Sequence, residues 1–281
     1  MIPLLRGHPR LLVGAGISLL LALAGLVSLV WTPYPIEQVV VAERFLGSGP
    51  QHWLGTDHLG RDMLSLIMSG TLTSFLVAGL AAGIGIGIGV PMGLAAALWG
   101  GWVEWLVLRV SDLTFAFPAV IVAILIATLV GPGESNAIFA IGIFNIPVFA
   151  RVARGGALTL VGQDYVAAAR LAGRNRIAIA WLHLLPNIGS LIIVQGTIQL
   201  SLGILAEAGL SYIGLGTQPP ATSLGLMLRD AQSLFLIHPW LSIVPGLAIV
   251  VIVIALNMAG DGLRDALDPR LRRQELGHVA G

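Results

Sequence analysis

The sequence predicts an all-α integral membrane protein that crosses the bilayer six times, and three observations predict it. Hydrophobic residues make up 56% of the chain against 10% charged, with a mean hydropathy of +0.91, which excludes an ordinary soluble domain. Long apolar runs recur along the chain, parted by short segments rich in Pro, Gly or Arg. The charges are also sorted. All 15 cationic residues are Arg, and on a six-span reading 12 of them (positions 6, 10, 109, 151, 154, 170, 174, 176, 264, 270, 272 and 273) share one side, against three (44, 61 and 229) on the other. Cytoplasmic loops carry such an excess, so both termini are expected inside.

Several function classes fall away at once. A phosphate-binding Walker loop needs Lys after its glycines, and this chain has no Lys. Without Cys there is no disulfide, thiolate metal site or thiol nucleophile. A net charge of +1 says nothing about nucleic acid, and no nucleic-acid partner is expected. Lipid surrounds most of the chain.

Taken in order, residues 1–68 form a first span and an outside loop. Leu11–Trp31 is 21 residues without a charge, longer than a signal peptide's apolar region, and Trp31 and Tyr34 read as interfacial aromatics. Pro33, Pro35 and Pro50 break the following polar stretch. Within HWLGTDHLGRD (His52–Asp62), Thr56 or Asp57 reads as a helix cap, and Leu59, Met63, Leu64, Ile67 and Met68 recur at helical spacing behind it. His52, Asp57 and His58 raise the question of a metal site, but their spacing fits no standard ligand motif, and no metal is expected.

Residues 69–262 hold the five remaining spans. The second covers about 69–99, and its Gly83, Gly85, Gly87 and Gly89 make two ladders of small residues for close helix packing. Gly100-Gly101 turns the chain. The third runs from about 103 to 130, where Arg109 and Asp112 are either a local ion pair or a contact with a partner or gate. The fourth, about 135–158, is bent by Pro147 and ends near Arg151 and Arg154. The fifth, about 188–212, carries Gln195, Gln199 and Glu207. These polar residues face a cavity, with interhelical hydrogen bonding as the alternative. The sixth, 239–260, leads into a cytoplasmic tail at 263–281.

Between spans four and five lies DYVAAARLAGRNRIAIAWLHLLPN (Asp164–Asn187). Asp164 can cap a short helix over Tyr165–Ala172, Arg170 suits its negative end, and Gly173 supplies a left-handed stop. Eight helical residues reach only ~12 Å, far less than the ~30 Å core of a bilayer. This helix therefore lies outside the membrane, on the Arg-rich side.

The Ala168-Ala169 pair, Gly173, Leu185 and Pro186 resemble the "EAA" coupling loop of permease subunits in bacterial ATP-binding-cassette (ABC) importers. Ala167 stands where that family usually has Glu. His52–Asp62, GLSYIGLGTQPP (Gly209–Pro220), Asn257 and GDGLRDALDPRLRR (Gly260–Arg273) resemble the oligopeptide, dipeptide and nickel branch of those permeases. The resemblance runs from His52 almost to the end. It implies a type I ABC importer permease fold in a bacterial inner membrane, in which Tyr165, Val166, Ala167, Ala168, Ala169, Arg170 and Gly173 form the ATPase-coupling helix. It implies as partners a second permease in a heterodimer, two cytoplasmic ATPases and an extracytoplasmic substrate-binding protein. Peptides are the implied cargo, with nickel or a metal chelate as the alternative. The chain itself is then no enzyme, has no catalytic residues and binds no cofactor, ATP and Mg sitting on the ATPases. An ATP-independent carrier leaves the coupling loop unexplained, and an intramembrane enzyme would need a catalytic constellation that His183 and His238 do not make.

Overall fold

The computed structural model describes residues 9–267. Arg6, Arg270, Arg272, Arg273 and most of the tail expected at 263–281 lie outside the described residues. Helix α1 covers Pro9–Val27 and α2 covers Met63–Trp99. They are followed by α3 Gly101–Ala116, α4 Ala119–Val130, α5 Glu134–Val161 and α6 Asp164–Leu171. Last come α7 Arg176–Tyr212, α8 Leu224–Ala231 and α9 Trp240–Leu267. Among the described residues the only β pairing is one isolated bridge, Thr56 with Asp62. Five helices are long and apolar enough to cross a membrane, and there are six if the bent pair of α3 and α4 is counted as one span.

That third crossing is not the single helix expected over 103–130. Its two halves meet at 86°. Pro118 has no N–H to donate and forces the residue before it out of helical geometry, and Phe117 accordingly sits at φ −101°, ψ 135°. The fifth crossing is also longer than expected, because Asn175 caps it by accepting from the Ala178 N–H at 2.7 Å, so the helix starts at Arg176.

Helix α2 begins later than Thr56 or Asp57. Asp57 is occupied within the preceding loop, where its Oδ1 accepts from the N–H groups of Leu59 (2.8 Å) and Arg61 (2.9 Å). Asp62 takes over as cap, its Oδ2 accepting from both the Ser65 N–H (2.8 Å) and the Ser65 hydroxyl (2.7 Å).

Small residues set how closely the helices approach. A Cβ on Gly14 of α1 would stand 2.6 Å from the Ala255 oxygen of α9, and one on Gly262 of α9 would stand 2.6 Å from the Leu11 nitrogen of α1. On α2 only one of the two expected ladders is used within the chain. Cβ atoms on Gly85 and Gly89 would come within 2.5 Å of α5, at Asn145 Cβ and the Ile146 oxygen, whereas Gly83 and Gly87 meet nothing within 4 Å. A π-turn over Gly85–Gly89 interrupts α2 at this contact. Outside the bundle core, large side chains such as Leu19, Leu20, Leu129 and Val130 are exposed, as a surface that faces hydrocarbon requires.

Candidate functional site

The segment between α5 and α7 forms the short helix read from the sequence, with a different start. Gln163, not Asp164, takes the cap position, and its side chain makes no capping bond. Asp164 is the first helical residue, where its charge meets the positive end of the helix. At the far end Gly173 adopts φ +79°. Its N–H donates to the Arg170 carbonyl (3.0 Å), and the Arg174 N–H donates to the Ala169 carbonyl (3.1 Å), a double bond pattern that only a left-handed residue permits.

This helix has an inner and an outer face. Val166 and Ala169 are buried in one apolar cluster with Leu98, Ala157, Ile179 and Leu184, which joins the ends of α2, α5 and α7 nearest α6. Tyr165, Ala167, Ala168 and Arg170 are exposed, and Leu171 is 90% exposed. Ala168 and Ala169, adjacent in sequence, therefore point to different neighbours. Leu171 was not singled out by that reading. Its signal was a Leu at 168 + 3, on the same helical face as Ala168.

The three polar residues of α7 also part company. Gln199 is buried, donates from Nε2 to Asn145 Oδ1 of α5 at 2.8 Å, and lines a cavity of about 500 Å³ between α4, α5 and α7. Gln195 lines a separate cavity of about 380 Å³ towards α9, shared with Ser190 and Arg264. Glu207 lines neither. Fully buried, it accepts from the hydroxyls of Ser74 (2.7 Å), Ser211 (2.6 Å) and Thr217 (3.4 Å), and so ties α2, α7 and the following loop together. Asn145, which sequence reasoning missed, was visible only as one amide in the apolar run of α5.

Elsewhere, on α3, Asp112 accepts from Arg151 of α5 at 2.6 Å, while Arg109 stands 3.8 Å away. Glu104 likewise pairs with Arg154. The charges of the third crossing therefore bolt α3 to α5, and the local Arg109–Asp112 pair is the weaker contact. At the opposite end of the bundle His52 is buried between Asp62 (2.9 Å) and Glu43 (3.6 Å), and Asp57 pairs with Arg61 at 2.7 Å. Among the described residues no three His, Asp or Glu side chains converge on a point where a metal could sit.

A helical membrane bundle in which one helix lines two successive cavities, with a short helix exposed outside it, has the form of a transport permease. The chain belongs to the binding-protein-dependent transport system inner membrane components, whose family model matches residues 89–273. It is 40% identical over 270 residues to the glutathione transport system permease protein GsiD of Pectobacterium atrosepticum, covering 95% of this chain and 89% of the relative. It is 36% identical to the dipeptide transport system permease protein DppC of Alkalihalophilus pseudofirmus, covering 82% and 76%. Its fold is that of a type I ABC importer permease. It matches a chain of the MetNI methionine ABC transporter, solved in inward facing conformations, with a TM-score of 0.59 at 20% identity, over 73% of this chain and 98% of that one. The protein is thus a multi-pass component of the inner membrane.

Proposed function

We propose that this chain is one permease subunit of an ATP-driven importer of di- and oligopeptides, with both of its ends in the cytoplasm. The observation that carries the reading is the open face of α7. From its inner to its outer half this one helix lines first the cavity of Gln195 and then that of Gln199. A second permease placed against that face would close a path across the membrane. The names of the relatives, glutathione and dipeptide permeases, supply the cargo class.

On this reading ATP and Mg act on two partner ATPases, which dock at the exposed face of α6, and a binding protein delivers cargo at the outer loops. The chain binds no cofactor of its own. Closure of the ATPases pushes α6, and the apolar cluster beneath Val166 and Ala169 passes the movement to α2, α5 and α7. The spans then rock, opening the path outward and inward in turn. Tight packing favours such discrete shifts over continuous bending.

The test is uptake of a labelled dipeptide by proteoliposomes that contain the complete complex. Uptake that needs ATP, the ATPases and the binding protein is expected. Peptide uptake without the ATPases would make the chain a carrier, and uptake of nickel without peptide would move it to the other cargo class.

A further inference from the structure

The outer cavity holds two amides that the packing of the bundle leaves half used. Asn145 and Gln199 both line it, and they are 5% and 6% exposed. One hydrogen bond joins them, from Gln199 Nε2 to Asn145 Oδ1. The Asn145 Nδ2 group is buried without a partner, and the bond between the two amides engages Gln199 Nε2 and leaves Gln199 Oε1 unused by the pair. Between membrane helices no bulk water stands ready to satisfy such groups, so an unpaired amide there is costly. A pair of helices that needed only a clasp would be served by a smaller polar group.

What remains free on the pair includes a donor group, Asn145 Nδ2, and an acceptor, Gln199 Oε1. A peptide bond presents the complement, a C=O and an N–H on opposite sides of one plane. The walls around the amides are apolar, with Ile141, Phe144, Leu202 and Leu210 among them, and no charged side chain lines the space. A cavity so built offers no charged ligand to a hydrated metal ion. It suits the neutral backbone of a short peptide with apolar room for its side chains.

We infer that Asn145 and Gln199 receive the peptide bond of the cargo in the outer cavity, Asn145 Nδ2 donating to its carbonyl and Gln199 Oε1 accepting from its N–H. This rests on the peptide reading above and adds the group that is recognised. Sites built to pair with a polar group discriminate strongly against cargo that lacks it, because their own groups are then left unpaired.

The experiment uses the complete complex in proteoliposomes and two probes, Ala-Phe and its analogue methylated on the peptide nitrogen. Uptake is normalised to the loading of the binding protein, so that protein's own preference divides out. The wild type should move Ala-Phe roughly tenfold faster than the analogue. Gln199→Met should bring that ratio close to one by slowing Ala-Phe alone. Asn145→Leu should slow both probes alike, because both keep the carbonyl. Where a variant assembles poorly, Leu202→Cys on the cavity wall gives an independent reading, since the chain has no native Cys. Ala-Phe should protect it from a maleimide better than the analogue does. An unchanged ratio in Gln199→Met with full Ala-Phe uptake overturns the inference and leaves the peptide importer standing, and so does equal protection by both probes. A wild-type complex that takes up no peptide overturns the importer reading, and this inference with it.

Discussion

The Ser74 hydroxyl donates to the Glu207 carboxyl at 2.7 Å, across 133 residues of chain. Ser211 and Thr217 converge on the same carboxyl from the other side, so one acidic side chain clamps α2, α7 and the outer loop. Glu207→Leu removes the acceptor and strands three buried hydroxyls. Roughly 2 kcal/mol or more should be lost, and thermal unfolding of the purified protein should shift down by about 4–8 °C. Glu207→Gln keeps an oxygen in place and should lose less than half as much. Equal losses would mean that the charge, not the acceptor, matters.

The two glycine ladders of α2 should respond in opposite ways. Gly89→Ala places a methyl against the Ile146 carbonyl of α5, where its Cβ has 2.3 Å of room. Overpacking of this kind costs about 1–3 kcal/mol, and yield and unfolding temperature should both fall. Gly87→Ala meets nothing within 4 Å and gains helix propensity, so the isolated chain should be at least as stable as the wild type.

Helix α6 separates docking from folding. A Glu at Ala168 or Leu171 lies on the exposed face and would be buried unpaired only when an ATPase covers it. The penalty of ~3–5 kcal/mol for such a charge weakens docking more than about a hundredfold. Ala168→Glu and Leu171→Glu should therefore insert normally and pair with the second permease, yet lose the ATPases in pull-down and lose uptake. Ala167→Glu should be tolerated. Ala169→Glu should instead fail at folding, since Ala169 is buried within its own chain.

Asp230 of α8 carries a pH dependence. Burial pushes the Asp230 carboxyl above the ordinary carboxylate value of 3.8, Asp57 adds to the rise, and His58, Arg61 and Arg229 draw it back only in part. The folded state thus holds this proton more tightly than the unfolded chain. Stability from this group is present at low pH and is lost as pH rises from 3.8 through the raised value. Asp230→Asn should flatten the thermal stability profile over that interval and leave the protein at least as stable at pH 7.

Orientation can be read with a single thiol. Ser48 is exposed in the loop between α1 and α2, and Ser48→Cys should react with an impermeant maleimide from the outside only. Labelling from the cytoplasmic side would invert the topology.

The number of crossings was legible because a span is written in about twenty apolar residues, and the chain separates its spans with Arg, Pro and Gly. The stop of α6 was legible for a similar reason, since Gly173 is a local signal with a local cause. Other features depended on partners distant in sequence. Nothing near Gln195, Gln199 or Glu207 tells that they would face two cavities and a hydroxyl cluster, because Ser74, Asn145 and Arg264 decide that. Asp57 and Asp62 are equally good caps on paper, and the loop's need for Asp57 chose between them. The break at Phe117-Pro118 was written locally but was outweighed by the unbroken apolar run around it.

The π-turn in α2 alters the arithmetic of that helix. Val77, Ala81, Gly85, Gly89, Gly93 and Ala97 are all buried, and they recur every fourth residue. In an undisturbed α-helix each such step overshoots a full turn by about 40°, so five steps would carry the row roughly 200° around the axis and out to lipid. A wider turn at Gly85–Gly89 takes up one residue, about 100° of that drift, and brings the row back towards its neighbour. Tightening that turn into regular α-helix with every residue kept would therefore rotate everything beyond it by about 100°, so that the hairpin at Gly100-Gly101 would launch α3 away from Arg151 and Arg154 rather than onto them.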